Sequence, residues 1–198
     1  MIMSTNATAK LLSADSPFFS VSSLQAMLNL TRESSRTTAS RLVQRGILVR
    51  IQRDLYTLSN SKYSLFSLAN ALYQPSVISL ETALNYWGII VQVPQTVFSI
   101  AQASYRCVAD NTEFAYRRIP PDMFRFGQAK VEDFFIVEAE KALLDTLYMK
   151  SKGLAELLPE DIDMAKLDHE LLNYYSRMYP DIVKKMFSDL KARDYEAK

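Results

Sequence analysis

Arginines and short hydroxyl side chains are interspersed along one stretch of the chain, between residues 32 and 53. An arginine guanidinium donates charge-assisted hydrogen bonds to phosphate and to the acceptor edge of guanine, and serine and threonine hydroxyls reach either without bulk. This residue set predicts binding to double-stranded DNA. The candidate DNA-binding residues are Arg32, Ser34, Arg36, Thr37, Ser40, Arg41, Arg50 and Arg53.

The formal charge of +1 for the 198 residues hides an uneven distribution. Residues 1–70 contain eight basic and three acidic side chains, a net charge of +5, whereas the rest of the chain contains 15 basic and 19 acidic ones. A solvated helix face is the ordinary explanation of a charge cluster. A local cluster that is rich in arginine and almost entirely of one sign favours a phosphate-binding surface instead.

Two helices separated by a short turn must position most of the candidates. The first is predicted over Val21–Leu28 with Ser20 as N-cap, because apolar residues recur there at helical spacing. The second is predicted from Arg32 to Arg45, between the N-cap Thr31 and Gly46, which ends it. Its inward side is predicted to consist of Ser35, Thr38, Ala39, Leu42 and Val43. The candidates on this helix lie on the other side.

A hairpin is predicted directly after the second helix. Ile47–Ile51 and Leu55–Leu58 have the pattern of strands, and the turn between them carries Arg53 at its tip, with Arg50 close behind. A helix-turn-helix followed by a basic hairpin is the order of a winged helix-turn-helix. In that fold the helix enters the major groove and the hairpin reaches a neighbouring phosphate or the minor groove. A small helical domain that binds no DNA is the alternative.

The candidates are expected to have different roles. Thr37 and Arg41 lie most directly opposite the inward side of the helix, so we expect them to contact base edges. Arg36, Arg50 and Arg53 are expected mainly to contact phosphates, which fix the position of a protein on the duplex.

The predicted fold class is α+β, with the N-terminal winged helix-turn-helix followed by an α+β domain and C-terminal helices. A polar run at 59–62 predicts domains at 1–60 and 61–198. In the first domain, residues 4–14 are predicted as a further helix, and Phe18 and Phe19 are predicted to pack beneath the helix that follows. The second domain is predicted to contain helices at 65–73, 80–87 (capped by Ser79) and 138–150, a short strand at 77–78, antiparallel strands at 97–101, 105–108, 113–119, 123–128 and 132–137, and two last helices divided near Tyr179-Pro180.

The sequence contains few groups suited to catalysis. His169 is the single histidine, and no nucleophile pattern accompanies it. Four well-separated glycines exclude the glycine-rich loops of nucleotide enzymes, and one cysteine, Cys107, excludes an intramolecular disulfide and a CxxC metal motif. Glu138 and Glu140 are about 200° apart on a helix and cannot chelate one ion together. We therefore predict no enzymatic activity, no cofactor and no metal site.

Three segments together resemble one protein family. They are LQAMLNLTRESSRTTASRLVQRGILVRIQRDLYTL at 24–58, PSVISLETALNYWGII at 75–90 and VEAEKALLDTLYM at 137–149. They resemble the AbiEi family, the antitoxins of type IV toxin–antitoxin and abortive-infection systems, over about residues 15–150. The segment EKALLD, Glu140 to Asp145, is the most specific part. The wing of this family usually closes on a glycine before its tyrosine, whereas here Asp54 and Leu55 precede Tyr56.

The resemblance implies a cytoplasmic bacterial or archaeal protein with two activities. The N-terminal domain would bind inverted repeats in its own promoter and repress the operon. The C-terminal domain would oppose a nucleotidyltransferase toxin encoded beside it, without forming a stable complex. A homodimer stays open, and no membrane partner is expected, since no apolar run approaches the ~20 residues of a membrane span. The alternatives are a regulator without antitoxin activity and an adaptor whose winged helix binds a protein.

The charged residues of the EKALLD segment have two explanations. Lys141 and Asp145 are i,i+4 neighbours, so a surface ion pair worth about 0.3–0.5 kcal/mol accounts for them. An interaction surface specific to the family is the other explanation, and for Glu140, Lys141 and Asp145 the choice stays open.

Two groups of aromatic residues also require an explanation. Tyr86, Trp87 and Phe98 are predicted to lie in the core. Tyr174, Tyr175 and Tyr179 fit either an interface, where aromatic residues are enriched, or packing between the last two helices.

Overall fold

The computed structural model of the protein describes residues 2–14 and 16–196, with side chains for 7–14 and 16–193. Within this part the chain combines α-helices with β-sheets, which confirms the α+β class. The chain divides into two compact units, residues 1–72 (unit 1) and 73–198 (unit 2). The division falls later than the boundary predicted after residue 60. The helix at 65–72 is tied to unit 1, since Gln52 Nε2 donates to the Leu72 carbonyl oxygen at 3.0 Å.

Unit 1 is built from short helices and an antiparallel sheet. Its elements are α1 (Ile2–Leu12), β1 (Phe18–Ser20), α2 (Val21–Leu28), α3 (Arg32–Gln44), β2 (Leu48–Gln52), β3 (Leu55–Leu58) and α4 (Leu65–Leu72). The strands are arranged in the order β1-β3-β2. One apolar core joins the sheet to α1, α2 and α3, and its buried members are Leu11, Phe19, Val21, Leu24, Ala39, Leu42, Leu48 and Tyr56.

Strand β1 is an element that the sequence pattern does not predict. Phe18 and Phe19 pair with Thr57 and Tyr56 of β3, instead of only packing beneath α2. Phe19 is buried in the core, whereas Phe18 is half-buried. A three-residue strand is too short to show an alternation of apolar and polar residues, so periodicity cannot reveal it.

The ends of α2 and α3 follow the predicted caps. Ser20 accepts a hydrogen bond from Ser23 N, and Thr31 accepts one from Ser34 N, so each side chain satisfies a free amide in the first turn. Helix α3 ends in a pair of backbone hydrogen bonds, from Gly46 N to Val43 O and from Ile47 N to Leu42 O. This pattern requires a left-handed residue after the helix, and Gly46 has φ 68°. The start of the hairpin is therefore fixed directly against the end of α3.

Unit 2 contains a mixed sheet, short helices and a C-terminal helical segment. Its elements are β4 (Ser76–Ile78), α5 (Leu80–Tyr86), β5 (Thr96–Ala101), β6 (Tyr105–Ala109), β7 (Thr112–Arg118), α6 (Pro121–Phe124), β8 (Gln128–Val131), β9 (Phe134–Val137), α7 (Ala139–Ser151), 3₁₀ turns at Pro159–Asp161 and Met164–Lys166, α8 (His169–Ser176) and α9 (Asp181–Glu196). The strand order is β6-β7-β5-β4-β9-β8.

Two predictions about this sheet were wrong. The strands are not all antiparallel, because β5 runs parallel to β7 and β4 runs parallel to β9. The strand predicted at 123–128 is replaced by α6 and by the approach to β8, which begins at Gln128. Pro121 is the first residue of α6, a position where the fixed φ of proline favours a helical turn.

Helix α7 is enclosed on all sides instead of burying one face. Every residue from Glu140 to Met149 is buried. Lys141 and Asp145 are fully buried, and the Lys141 Nζ lies 2.9 Å from each carboxylate oxygen of Asp145. The explanation of this pair as a surface ion pair was therefore wrong. Periodicity identified the helix but gave no sign of what would cover its polar side.

Two hydroxyl groups complete this buried network. Ser79 Oγ donates to Asp145 Oδ2 at 2.8 Å, and the Tyr179 hydroxyl donates to Oδ1 at 2.7 Å. Ser79 precedes α5 as predicted, but its side chain makes no capping hydrogen bond there. Burial raises the pKa of Tyr179 well above its ordinary value, and the negative charge of Asp145 raises it further. Tyr179 thus packs inside unit 2, as does the buried Tyr175, while Tyr174 is exposed.

The core prediction for Tyr86 and Trp87 was also wrong, because these side chains are 39% and 36% exposed. Trp87 Nε1 donates to the carbonyl oxygen of Val137 at 2.8 Å, so one edge of the indole is fixed although its ring lies at the surface. Phe98 is half-buried.

Among the described residues, the helices are all too short or too polar to cross a membrane.

Candidate nucleic-acid interface

The exposed side of α3 presents a set of polar side chains. Ser35, Ala39 and Leu42 are buried against the core, and the predicted inward positions Thr38 and Val43 are half-buried. All six candidates on the helix are exposed: Arg32, Ser34, Arg36, Thr37, Ser40 and Arg41. An exposed side with hydroxyls and arginines but no large apolar residue can approach a groove closely and offers donors to its floor and walls.

The hairpin that follows α3 adds two exposed arginines. Arg50 lies on β2, and Arg53 lies in the two-residue turn that joins β2 to β3. The pairing register shifts between Arg50 and Gln52, so Ile51 is an extra residue and β2 has a bulge. Arg50 Nε donates to the Gln52 carbonyl oxygen at 3.2 Å, across this bulge.

Asp54 connects the turn of the hairpin to α3. Its two carboxylate oxygens accept hydrogen bonds from Arg36, from Nε to Oδ1 at 3.3 Å and from Nη2 to Oδ2 at 2.7 Å. Arg32 Nη2 lies 3.8 Å from Oδ2. The hydrogen bonding with Arg36 lowers the pKa of Asp54, and the charges of Arg36, Arg53 and Arg32 lower it further. The carboxylate is therefore ionised at neutral pH and lies among three of the predicted DNA-binding arginines.

The structure brings Arg32, Arg36 and Arg53 together around Asp54, whereas Arg41 stands apart from this group. Within the described part of the chain, the Arg41 guanidinium has no hydrogen-bond or ion-pair partner. Arg41 is thus available to an external acceptor, while Arg36 already uses part of its hydrogen-bonding capacity. Arg36 was predicted mainly to contact phosphates, and in the structure its Nε and Nη2 donate to Asp54.

Two of the candidate hydroxyl groups, those of Ser34 and Thr37, have hydrogen-bond partners on α3 or at its cap. Thr37 Oγ1 donates to the Glu33 carbonyl oxygen at 3.0 Å, and Ser34 Oγ lies 3.0 Å from the Thr31 hydroxyl, from which it accepts. A threonine hydroxyl has one proton to donate. Thr37 would therefore offer DNA an acceptor oxygen and a methyl group, which suits contact with a thymine methyl or a base amino group.

Sequence reasoning did not find the part that Asp54 plays in this surface. The residue has φ 61°, in the left-handed region that glycine, asparagine and aspartate adopt most readily. The sequence did contain one indication of this role, because an aspartate stands where a glycine was expected to close the wing. The partner of its carboxylate, 18 residues earlier on α3, could not be read from spacing.

Unit 2 shows no comparable surface built from the residues singled out in the sequence. His169 is exposed at the first position of α8. Glu138 accepts from the Tyr175 hydroxyl at 2.6 Å and Glu140 accepts from Asp168 N at 2.9 Å, so the two acids have separate partners. Among the described residues, no group of three or more His, Cys, Asp and Glu side chains is arranged to hold a metal ion.

Comparison with known proteins gives a fold relationship. No protein-family model and no curated protein sequence matches the chain. A similar structure is that of the RV2827C protein from Mycobacterium tuberculosis, with a TM-score of 0.56 and 12% sequence identity, over 96% of this chain and 76% of that one. At this identity the likeness concerns the fold alone, and it extends across both units of the chain.

Proposed function

We propose that residues 1–60 form a winged helix-turn-helix that binds duplex DNA and that the protein represses its own promoter as a cytoplasmic regulator. The observation that carries this proposal is the exposed side of α3, where arginines and short hydroxyls face solvent beside the basic turn of the β2–β3 hairpin. A DNA-binding helix needs this combination of small size and donors, and a neighbouring turn with Arg53 suits the phosphate backbone.

The order of the elements supports the same proposal. Helix α2 ends at Leu28 and is followed by Asn29, in the left-handed conformation at φ 53°. Helix α3 begins after the cap Thr31, so a tight turn separates the two helices. The hairpin follows immediately, and its strand β3 pairs with β1, so that the three strands form one sheet. The net charge of +5 over residues 1–70 supplies the attraction to phosphate that this function requires.

Unit 2 is proposed to carry the antitoxin activity of a type IV system, on the basis of its resemblance to AbiEi proteins. The most specific segment of that resemblance, Glu140 to Asp145, lies in α7 and is buried along its whole length. This segment therefore supports a relationship of fold and core, and the residues that oppose a nucleotidyltransferase would lie elsewhere on the surface of unit 2.

A gel shift with DNA from upstream of its own gene tests the regulatory proposal. We expect the full-length protein to retard this fragment at moderate salt and to release it at high salt. A duplex of the same length and composition in shuffled order serves as the control. If no fragment is retarded at any salt concentration, the surface of α3 belongs to a protein-binding adaptor instead.

Replacing Arg53 by alanine is expected to weaken binding to all duplexes to the same degree. Arg53 projects from the turn at the tip of the hairpin, where a phosphate contact carries no sequence information. The slope of log K against log salt should become shallower by about one unit, the value for one lost phosphate contact. Fluorescence anisotropy over a series of salt concentrations measures this slope. An unchanged slope would remove Arg53 from the phosphate-binding set.

Co-expression tests the proposal for unit 2. If a nucleotidyltransferase is encoded in the same operon, its expression alone should arrest growth and expression with this protein should restore it. The Arg53→Ala variant serves as a control in this assay, because it should still restore growth if the antitoxin activity resides in unit 2. Failure of the wild-type protein to restore growth would leave a regulator without antitoxin activity.

A further inference from the structure

An acidic side chain lies inside the proposed DNA-binding surface. Asp54 is within 4 Å of two arginines, Arg36 and Arg32, and its side chain is 32% exposed. Arg53, its neighbour in the turn, adds a third positive charge, which also lowers the pKa of the Asp54 carboxyl group. A carboxylate in this place opposes the approach of phosphates, so its presence needs a physical explanation.

The backbone of the turn does not require an acid at this position. The Asp54 carbonyl oxygen accepts a hydrogen bond from Val21 N at 3.1 Å, which anchors the turn to the start of α2. This contact uses the main chain only. Glycine and asparagine adopt a φ of 61° at least as readily as aspartate does. The carboxylate is therefore dispensable for the turn, and its effect must lie in what it does to the arginines.

The carboxylate fixes the orientation of Arg36. A guanidinium has five N–H donors in one plane. Asp54 engages the edge formed by Nε and Nη2, which leaves the edge formed by Nη1 and Nη2 for another pair of acceptors. An arginine clamped along one edge has less rotamer freedom to lose on binding, and it presents the remaining edge in a defined direction. Such an edge matches the two acceptors on the major-groove side of guanine.

The same carboxylate lowers the net positive charge of the surface. Affinity for DNA of any sequence comes mainly from counterions that arginine and lysine displace from phosphates. An ionised Asp54 that is paired with Arg36 removes one cation from this contribution. Binding to non-specific DNA is thereby weakened, while a duplex that offers the right pair of acceptors still benefits from the oriented guanidinium.

We propose that Asp54 is a positioning residue that sets sequence specificity, by clamping Arg36 for a paired acceptor on a base and by suppressing binding to non-specific duplex. The inference rests on the proposed function, since it concerns how the same surface discriminates among duplexes. It adds a role for an acid that attraction to phosphate alone would not predict.

The test is the variant Asp54→Asn in the full-length protein, which keeps the turn and an acceptor oxygen but removes the charge. Binding is measured by fluorescence anisotropy to a duplex from upstream of the gene and to its shuffled counterpart. We expect affinity for the shuffled duplex to rise several-fold and its salt slope to steepen by about one unit, as Arg36 is released to phosphate. The ratio of the two affinities should fall on the order of tenfold, the range for one lost bidentate base contact.

Two further variants separate this role from simple charge and from folding. Glu33→Gln removes one negative charge from the exposed first turn of α3 without touching the clamp, so the affinity ratio should stay close to that of the wild type. Asp54→Gly suits the left-handed backbone and removes the clamp, so it should reproduce the effect of Asp54→Asn. Unchanged thermal unfolding midpoints would show that the turn is intact in each variant.

The proposal is overturned if Asp54→Asn raises both affinities equally and leaves their ratio unchanged, or if Glu33→Gln lowers the ratio as much. It is also overturned if neither affinity responds to either substitution at Asp54. Failure of the wild-type protein to bind both duplexes is a different result, because it rejects the DNA-binding function itself and is seen before any variant is made.

Discussion

Replacing Lys141 by methionine is expected to lower the free energy of unfolding by about 3–5 kcal/mol. Lys141 and Asp145 are fully buried, and removing the ammonium leaves the carboxylate of Asp145 in the core without its counter-charge. Ser79 and Tyr179 still donate to this carboxylate, which places the expected loss toward the lower end of the range. Chemical denaturation followed by circular dichroism measures the effect.

Two controls test whether the burial of Lys141 causes the expected loss of stability. The pair Lys184 and Asp181 has the same chemistry at 2.8 Å, but its side chains are 43% and 97% exposed, so Lys184→Met should leave the denaturation midpoint nearly unchanged. In the double variant Lys141→Met with Asp145→Leu, no charge stays unpaired, and the loss should be smaller than that of Lys141→Met alone. A Lys141→Met protein as stable as the wild type would contradict the buried network.

Arg41→Ala is expected to cost about 1–3 kcal/mol of binding free energy on the preferred duplex, or roughly a 5- to 150-fold loss of affinity. Arg41 is exposed on α3, and among the described residues its guanidinium has no partner within the protein, so all its donors can be used by the DNA. The variant should also lose its preference at one position of the site. Binding to duplexes that vary one base pair at a time measures both effects.

The matched control for Arg41 is Arg45, which is exposed and caps the C-terminal end of the same helix. Arg45→Ala removes an equal charge from outside the candidate set, so a small and uniform change in affinity is expected. If Arg41→Ala weakens every duplex equally, Arg41 contacts a phosphate instead of a base edge.

The bounds of α2 and the start of α3 were predicted correctly, and the end of α3 to within one residue, because each is set by local interactions. Ser20 and Thr31 cap the helices with their own side chains. At the end of α3, Gly46 N donates to the carbonyl oxygen three positions earlier, and Ile47 N donates to the one five positions earlier. These interactions depend on neighbours along the chain. The exposure of the six candidates on α3 follows from the helical period.

The features that escaped prediction depend on residues far apart in the chain. The carboxylate of Asp145 meets Ser79, 66 positions away, and Tyr179, 34 positions away, so nothing next to Lys141 indicates that the pair is buried. The hydrogen bonding between Arg36 and Asp54 also joins residues that are far apart in the chain, 18 positions from each other. Likewise, β5 and β7 pair in parallel because of the way the sheet is assembled. The residues within a strand do not indicate whether its neighbour in the sheet will be parallel or antiparallel.

The most direct test of the central claim is the salt dependence of binding between the full-length protein and a duplex from upstream of its gene. If Arg50 and Arg53 each neutralise a phosphate while Arg36 stays paired with Asp54, the plot of log K against log salt should have a slope of about −2. The upstream duplex should also bind more tightly than its shuffled counterpart at every salt concentration. Binding that is absent, or that is insensitive to both salt and sequence, would contradict the assignment of α3 and its hairpin as a DNA-binding surface.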